Sequence, residues 1–166
     1  MTSQPTILVG TVEKTVWVRV EGKGSFLNST GLKEFAREMM GRGYRQFAVD
    51  LRGCPMMDST FMGTLAGIAL RLRDIGEGEL RALNLNERNR DLLCNLGLDQ
   101  LFTIDGGEGG GVGESATSLE GGAEDKASRA RTMLEAHEAC VEANPENEAK
   151  FKDVLEFLKQ DLRSAS

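Results

Sequence analysis

A chain of 166 residues has room for one ordinary domain and an appendage, long enough to bury a core without disulfides or a metal. The formal charge of -6 is placed unevenly: residues 1–105 hold 13 Lys/Arg and 13 Asp/Glu, whereas residues 106–166 hold 7 against 13, a balance that repels phosphate backbones and anionic lipid and favours a protein partner. No run of about 18 apolar residues and no basic then apolar leader is present, so neither membrane nor nucleic acid is expected as a partner, and the expected location is cytoplasmic.

Ile7 to Val12 and Thr15 to Val20 are β-branched runs separated by Glu13-Lys14, the pattern of a β-hairpin. In the second run Val16, Val18 and Val20 share one face and Trp17 and Arg19 the other. Gly22 to Thr30 reads as a loop, in which Asn28, Ser29 or Thr30 caps a helix with the stripe Leu32, Phe35, Ala36, Met39, Met40, ending near Gly41 or Gly43. Gln46 to Leu51 is short, apolar and closed by Gly53 and Pro55, which suits a buried strand.

Asp58 and Ser59 then precede Met62, Leu65, Ala69 and Leu72 at helical spacing. Short oxygen-bearing side chains there accept from the unpaired amides of a first turn, so Asp58-Ser59-Thr60 marks a helix N-terminus at the carboxyl edge of a strand. Leu80 to Leu85 reads as a strand, Asn86 or Glu87 starts a helix stopped by Gly97, and Leu101 to Ile104 reads as a last strand. The order β-β-α-β-α-β-α-β predicts an α/β fold: a mixed sheet of an N-terminal hairpin and parallel strands, helices mainly on one face.

Six glycines fall within residues 106–113, and Ser, Thr, Gly and Glu continue to about Ala123, the composition of a flexible linker. Beyond it, Ala127, Ala130, Leu134 and Val141 form one helical stripe, and Phe151, Val154, Leu155, Leu158 and Leu162 another. Asn144-Pro145 divides them, with Asn144 as N-cap and Pro145 at the first helical position. The expected division is therefore a domain over 1–105, a linker over 106–123 and a helical hairpin over 124–166. Two amphipathic helices make only a thin core, so the hairpin's stripe must meet the first domain, another copy or a partner.

Asp50-Leu51, Met57-Asp58-Ser59-Thr60 and Gly63-x-Leu65 resemble the central segment of STAS domains, the anti-sigma factor antagonist family of bacterial regulators. The resemblance runs from about Thr6 to Asp105 and implies the same topology. It also implies a non-enzymatic switch in transcription regulation: binding to an anti-sigma factor or related serine kinase, with phosphorylation of the serine after the helix-start aspartate, here Ser59, and reversal by a phosphatase. Two departures stand out. Phe61 replaces a glycine usual in the family, a bulk that either obstructs a kinase or makes a new contact, and Ser25, Asn28 and Ser29 offer only neutral oxygens where members often carry a loop aspartate.

The bland reading of Asp58-Ser59 is a helix cap and nothing more; the functional one is a phosphoacceptor, with Thr60 a plain helix residue or an alternate acceptor. Phosphate adds about 1.5 to 2 negative charges, repulsive toward an acidic or apolar partner yet favoured by the helix dipole. The candidate partner surface is Ser25, Asn28, Met57, Asp58, Ser59, Thr60, Phe61 and Met62, and Met56 also flanks the site; methionines serve as core filler or as adaptable contacts. Asp50 reads as a turn acceptor. No cofactor, metal site or catalysis is expected: Cys54, Cys94 and Cys140 form no C-x-x-C pair, nothing in sequence pairs the single histidine, His137, with a nucleophile, and the glycine tract lacks the Lys-Ser/Thr of a phosphate loop. The alternatives are a scaffold whose phosphosite has lapsed and a module that self-associates through the Phe151 to Leu162 stripe.

Overall fold

The computed structural model describes residues 5–105, 117–119 and 125–165. Thr6–Val12 (β1) and Thr15–Glu21 (β2) pair antiparallel with Val9 opposite Val18. Gln46–Asp50 (β3), Glu79–Leu83 (β4) and Thr103–Asp105 (β5) then add in parallel, so that the sheet runs β5-β4-β3-β2-β1 and ends on Thr117–Leu119 (β6), antiparallel to β1. Parallel neighbours need crossovers, supplied by Phe26–Gly41 (α1), Ser59–Ile75 (α2) and Glu87–Asn95 (α3). The expected α/β architecture is thus observed. The glycine tract over 106–113 lies outside the described residues, but β6 places a strand inside the stretch read as linker, where three residues, Thr117, Ser118 and Leu119, satisfy the open edge of β1.

Alternation along β2 sends Val16, Val18 and Val20 into the main core, against Leu32, Ala36 and Met39 of α1 and Leu65 and Leu72 of α2. Trp17 packs on the opposite face with Leu8, Ala48 and Leu83. Full burial of each large apolar side chain contributes about 1.5–3 kcal/mol, and this layer sets the frame. α1 begins earlier than its sequence suggests. Ser25 is its N-cap and Asn28 closes a capping box, Ser25 Oγ accepting from Leu27 N and Asn28 Oδ1 from Ser25 N, so Asn28, Ser29 and Thr30 lie within the helix.

The C-terminal segment is the expected hairpin, Lys126–Ala143 (α4) and Asn147–Ala165 (α5). Asn144 ends α4 and its Oδ1 accepts from Glu146 N at 3.2 Å, which leaves Pro145 in the turn ahead of α5. α4 turns only one residue of its sequence stripe fully inward: Ala130 is buried together with Thr132, Ala136, His137 and Cys140, while Ala127, Leu134 and Val141 are half-buried. The surface it meets explains this. α4 packs on α2 and α1, where Gly63 lies so near that an added Cβ would stand 2.2 Å from the Ala136 carbonyl oxygen. Only small residues fit such an approach.

Polar bonds fix the register. Thr30 Oγ1 donates to Thr132 Oγ1 at 2.8 Å, Lys33 Nζ reaches Glu135 Oε2 at 3.0 Å, and Asn147 Nδ2 donates to the Leu96 carbonyl at 2.8 Å. Cys140 is buried, and burial pushes its thiol up to about 12.

Phe61 is fully buried, and its ring fills the space over Gly24, where an added Cβ would lie 2.6 Å from the ring. Phe61→Ala should cost about 3–5 kcal/mol, and Gly24→Ala about 1–3 kcal/mol by overpacking. Urea unfolding of both single variants and the double should give less than the summed cost, because the residue 24 methyl then occupies the vacated space; an additive sum would contradict the packing.

Candidate functional site

Two helix N-termini converge on one carboxylate. Asp58 is the N-cap of α2, its Oδ1 accepting from Phe61 N at 2.8 Å, and its Oδ2 accepts from Phe26 N, in the first turn of α1, at 3.0 Å. The backbone supports the join: Gly24 N donates to the Met56 carbonyl at 3.0 Å and Asp58 N to the Gly24 carbonyl at 2.8 Å. A single negative charge thus sits against the partial positive charge of two helix ends. Asp50 serves the neighbouring turn, its Oδ1 accepting from Arg52 N at 3.0 Å and Asn84 Nδ2 at 2.9 Å.

Ser59 is the first residue of α2 and is half-buried. Its Oγ lies 2.9 Å from Nε2 of His137, a residue only 2% exposed on α4. The imidazole is held on its other side by the Met133 carbonyl, 2.6 Å from Nδ1, and edge-on by the Phe151 ring at 4.8 Å between centroids. A carbonyl can only accept, so Nδ1 carries a hydrogen, and in the neutral ring Nε2 is left to accept the Ser59 hydroxyl hydrogen. Ser59 therefore has a partner 78 residues away, which no local pattern signals.

The predicted surface residues divide sharply. Asp58, Ser59 and Asn28 are half-buried, whereas Met57 (1% exposed), Phe61 (0%), Met62 (4%) and Thr60 (3%) are interior. Phe61 fills the core over Gly24 and blocks nothing at the surface. The Thr60 carbonyl accepts from the Thr64 hydroxyl at 2.8 Å and Ser25 is spent on capping α1; of Ser25, Ser59 and Thr60, only Ser59 is half-buried rather than interior.

A serine hydroxyl on an oriented imidazole is also the arrangement of a nucleophile with its base. A cavity of about 370 Å³ between α1, α2 and α4 is lined by Lys33, Arg37, Ile68 and Arg71 among others, and neither Ser59 nor His137 borders it. Among the described residues no helix is long and apolar enough to cross a membrane.

The STAS domain model matches residues 6–108, and the chain belongs to that family. Its fold is similar to that of TM1081 of Thermotoga maritima, provisionally assigned as an anti-sigma factor antagonist, at 20% identity and a TM-score of 0.54 over 58% of this chain and 82% of that one. It is also similar to the anti-sigma factor antagonist SpoIIAA in its unphosphorylated form, at 17% identity and a TM-score of 0.51 over 60% and 87% of the two chains. The phosphorylated form of that protein, a Bacillus cell fate determinant, matches at 18% identity and a TM-score of 0.50 over 60% and 90%. No curated protein sequence matches the chain.

Proposed function

We propose that this protein is a cytoplasmic regulator of the anti-sigma factor antagonist kind, which docks an anti-sigma factor or related serine kinase at the corner where α1 and α2 begin and is switched at Ser59. The observation that carries this reading is the position of Ser59: first residue of α2, next to the Asp58 cap, in a STAS domain whose neighbours include a protein known in both phosphorylated and unphosphorylated forms. Phosphorylation here forms a bond from Ser59 Oγ to the γ-phosphorus of a nucleoside triphosphate as the bond to the β-phosphate oxygen breaks. The diphosphate leaves, and the hydroxyl proton passes to a base of the kinase. A phosphatase returns the hydroxyl by hydrolysis. The product carries about 1.5 to 2 extra negative charges beside Asp58, stabilised by the helix dipole and repulsive to an acidic or apolar partner.

Protein isolated from its own cells should contain a species about 80 Da heavier, removed by phosphatase and mapped to Ser59. Ser59→Asp should weaken the partner complex more than about a hundredfold, the equivalent of about 3 kcal/mol. An unmodified Ser59 and equal affinity of the two proteins would leave a constitutive scaffold.

A second reading, self-association, rests on α5. Leu158 is buried and Phe151, Leu155 and Leu162 are half-buried against the rest of the chain, but Phe157 is 66% exposed and Val154 38%. An apolar pair of this kind on an exposed helix suits a second copy. Light scattering at rising concentration should show Phe157→Glu to be the smaller particle; identical masses would remove this reading.

A further inference from the structure

The hairpin lies where the proposed switch must be reached. α4 runs across the start of α1 and along α2, and His137 closes over Ser59. Kinase attack needs the hydroxyl clear of its partner, and a phosphoryl group on Oγ needs the volume that His137 Nε2 occupies at 2.9 Å. The imidazole cannot simply swing aside, since the Met133 carbonyl and the Phe151 ring hold it and it is 2% exposed.

We infer that the C-terminal hairpin is a cis-acting cover of the Ser59 site, that docking of α4 and phosphorylation of Ser59 exclude one another, and that the phosphate latches the hairpin open. The inference rests on Ser59 being the phosphoacceptor in the reading above. Three independent features make the contact a built one. Gly63 admits α4 to a distance at which one added methyl would meet the Ala136 carbonyl oxygen at 2.2 Å. Thr30 and Lys33 of α1 bond Thr132 and Glu135 of α4, Asn147 bonds the Leu96 carbonyl, and Lys150 bonds the Asn95 carbonyl, so the hairpin is pinned at both ends. Arg129 of α4 stacks over the ring of Phe26 at 5.4 Å, the residue whose amide Asp58 holds.

Space supplies the direction: a phosphoryl group on Ser59 Oγ, next to Asp58, and the His137 ring held 2.9 Å from that oxygen compete for one volume. Release uncovers the face of α2 around Gly63 and Gly67. The Ser59 hydroxyl is therefore closed to phosphoryl transfer until the hairpin leaves.

Cys140 reports this directly, since it is buried on α4 with its thiol held protonated, while Cys54 is buried in the loop between β3 and α2. Full-length protein with phosphoserine installed at residue 59 by codon suppression is alkylated with N-ethylmaleimide, and each cysteine is followed by peptide mass. The expected result is Cys140 labelling faster than in unmodified protein by roughly tenfold or more, with Cys54 unchanged. Gly63→Leu, which wedges α4 away without any phosphate, should expose Cys140 to the same degree. Cys140 as slow as in unmodified protein, Cys54 labelled in step with it, or a Gly63→Leu protein that keeps Cys140 protected would each overturn the cover. None of these depends on whether cells phosphorylate Ser59, so an unmodified Ser59 in cells removes the switch, and a protected Cys140 removes the cover.

Discussion

The absence of a side chain at residue 63 governs the C-terminal third of this protein. Because α2 is bare there, α4 comes close enough for its own backbone to touch, and the small residues Ala136 and Cys140 replace the apolar stripe that two isolated helices would need. Once the helices are that close, a residue one position beyond Ala136 falls over the start of α2. That residue is His137, and the hydroxyl beneath it is Ser59.

The corner that results joins two opposite electrostatic tendencies. The converging N-termini of α1 and α2 favour negative charge, and Asp58 supplies one such charge by bonding an amide from each helix. More charge on Ser59 suits those helix ends, but the bulk of a phosphoryl group competes with the imidazole packed on its oxygen. In the proposed switch the STAS frame accepts the phosphate and the hairpin gives way to it, a stable part and a displaceable part within one chain.

Much of the frame was legible in sequence because its cues are local. The β-branched alternation of β2, the Asp58 cap and the Gly97 stop depend on residues within a few positions of one another. The start of α1 lies earlier than its local pattern indicates, since Asp58 Oδ2, 32 residues away, satisfies the Phe26 amide and turns Ser25-Phe26 into a helix start. The burial of Phe61 has no local cue, because its space comes from Gly24, a neighbour only in the folded chain. The hairpin's place does have a signal in the sequence. α2 carries Phe61, Met62, Leu65, Ala66, Ile68, Ala69 and Leu70 around its circumference, more than one core-facing stripe, and a helix apolar on all sides needs covering on all sides. The pairing of His137 with Ser59 had no such signal.

The chain contains one histidine, so its ring nitrogens can be observed by nitrogen NMR without ambiguity of assignment. A docked hairpin predicts a ring carrying a hydrogen on Nδ1, toward the Met133 carbonyl, with the Nε2 resonance moving when Ser59 is replaced by Ala. A ring protonated on Nε2 whose signals do not respond to Ser59→Ala would contradict the closed corner and with it the cover over the site.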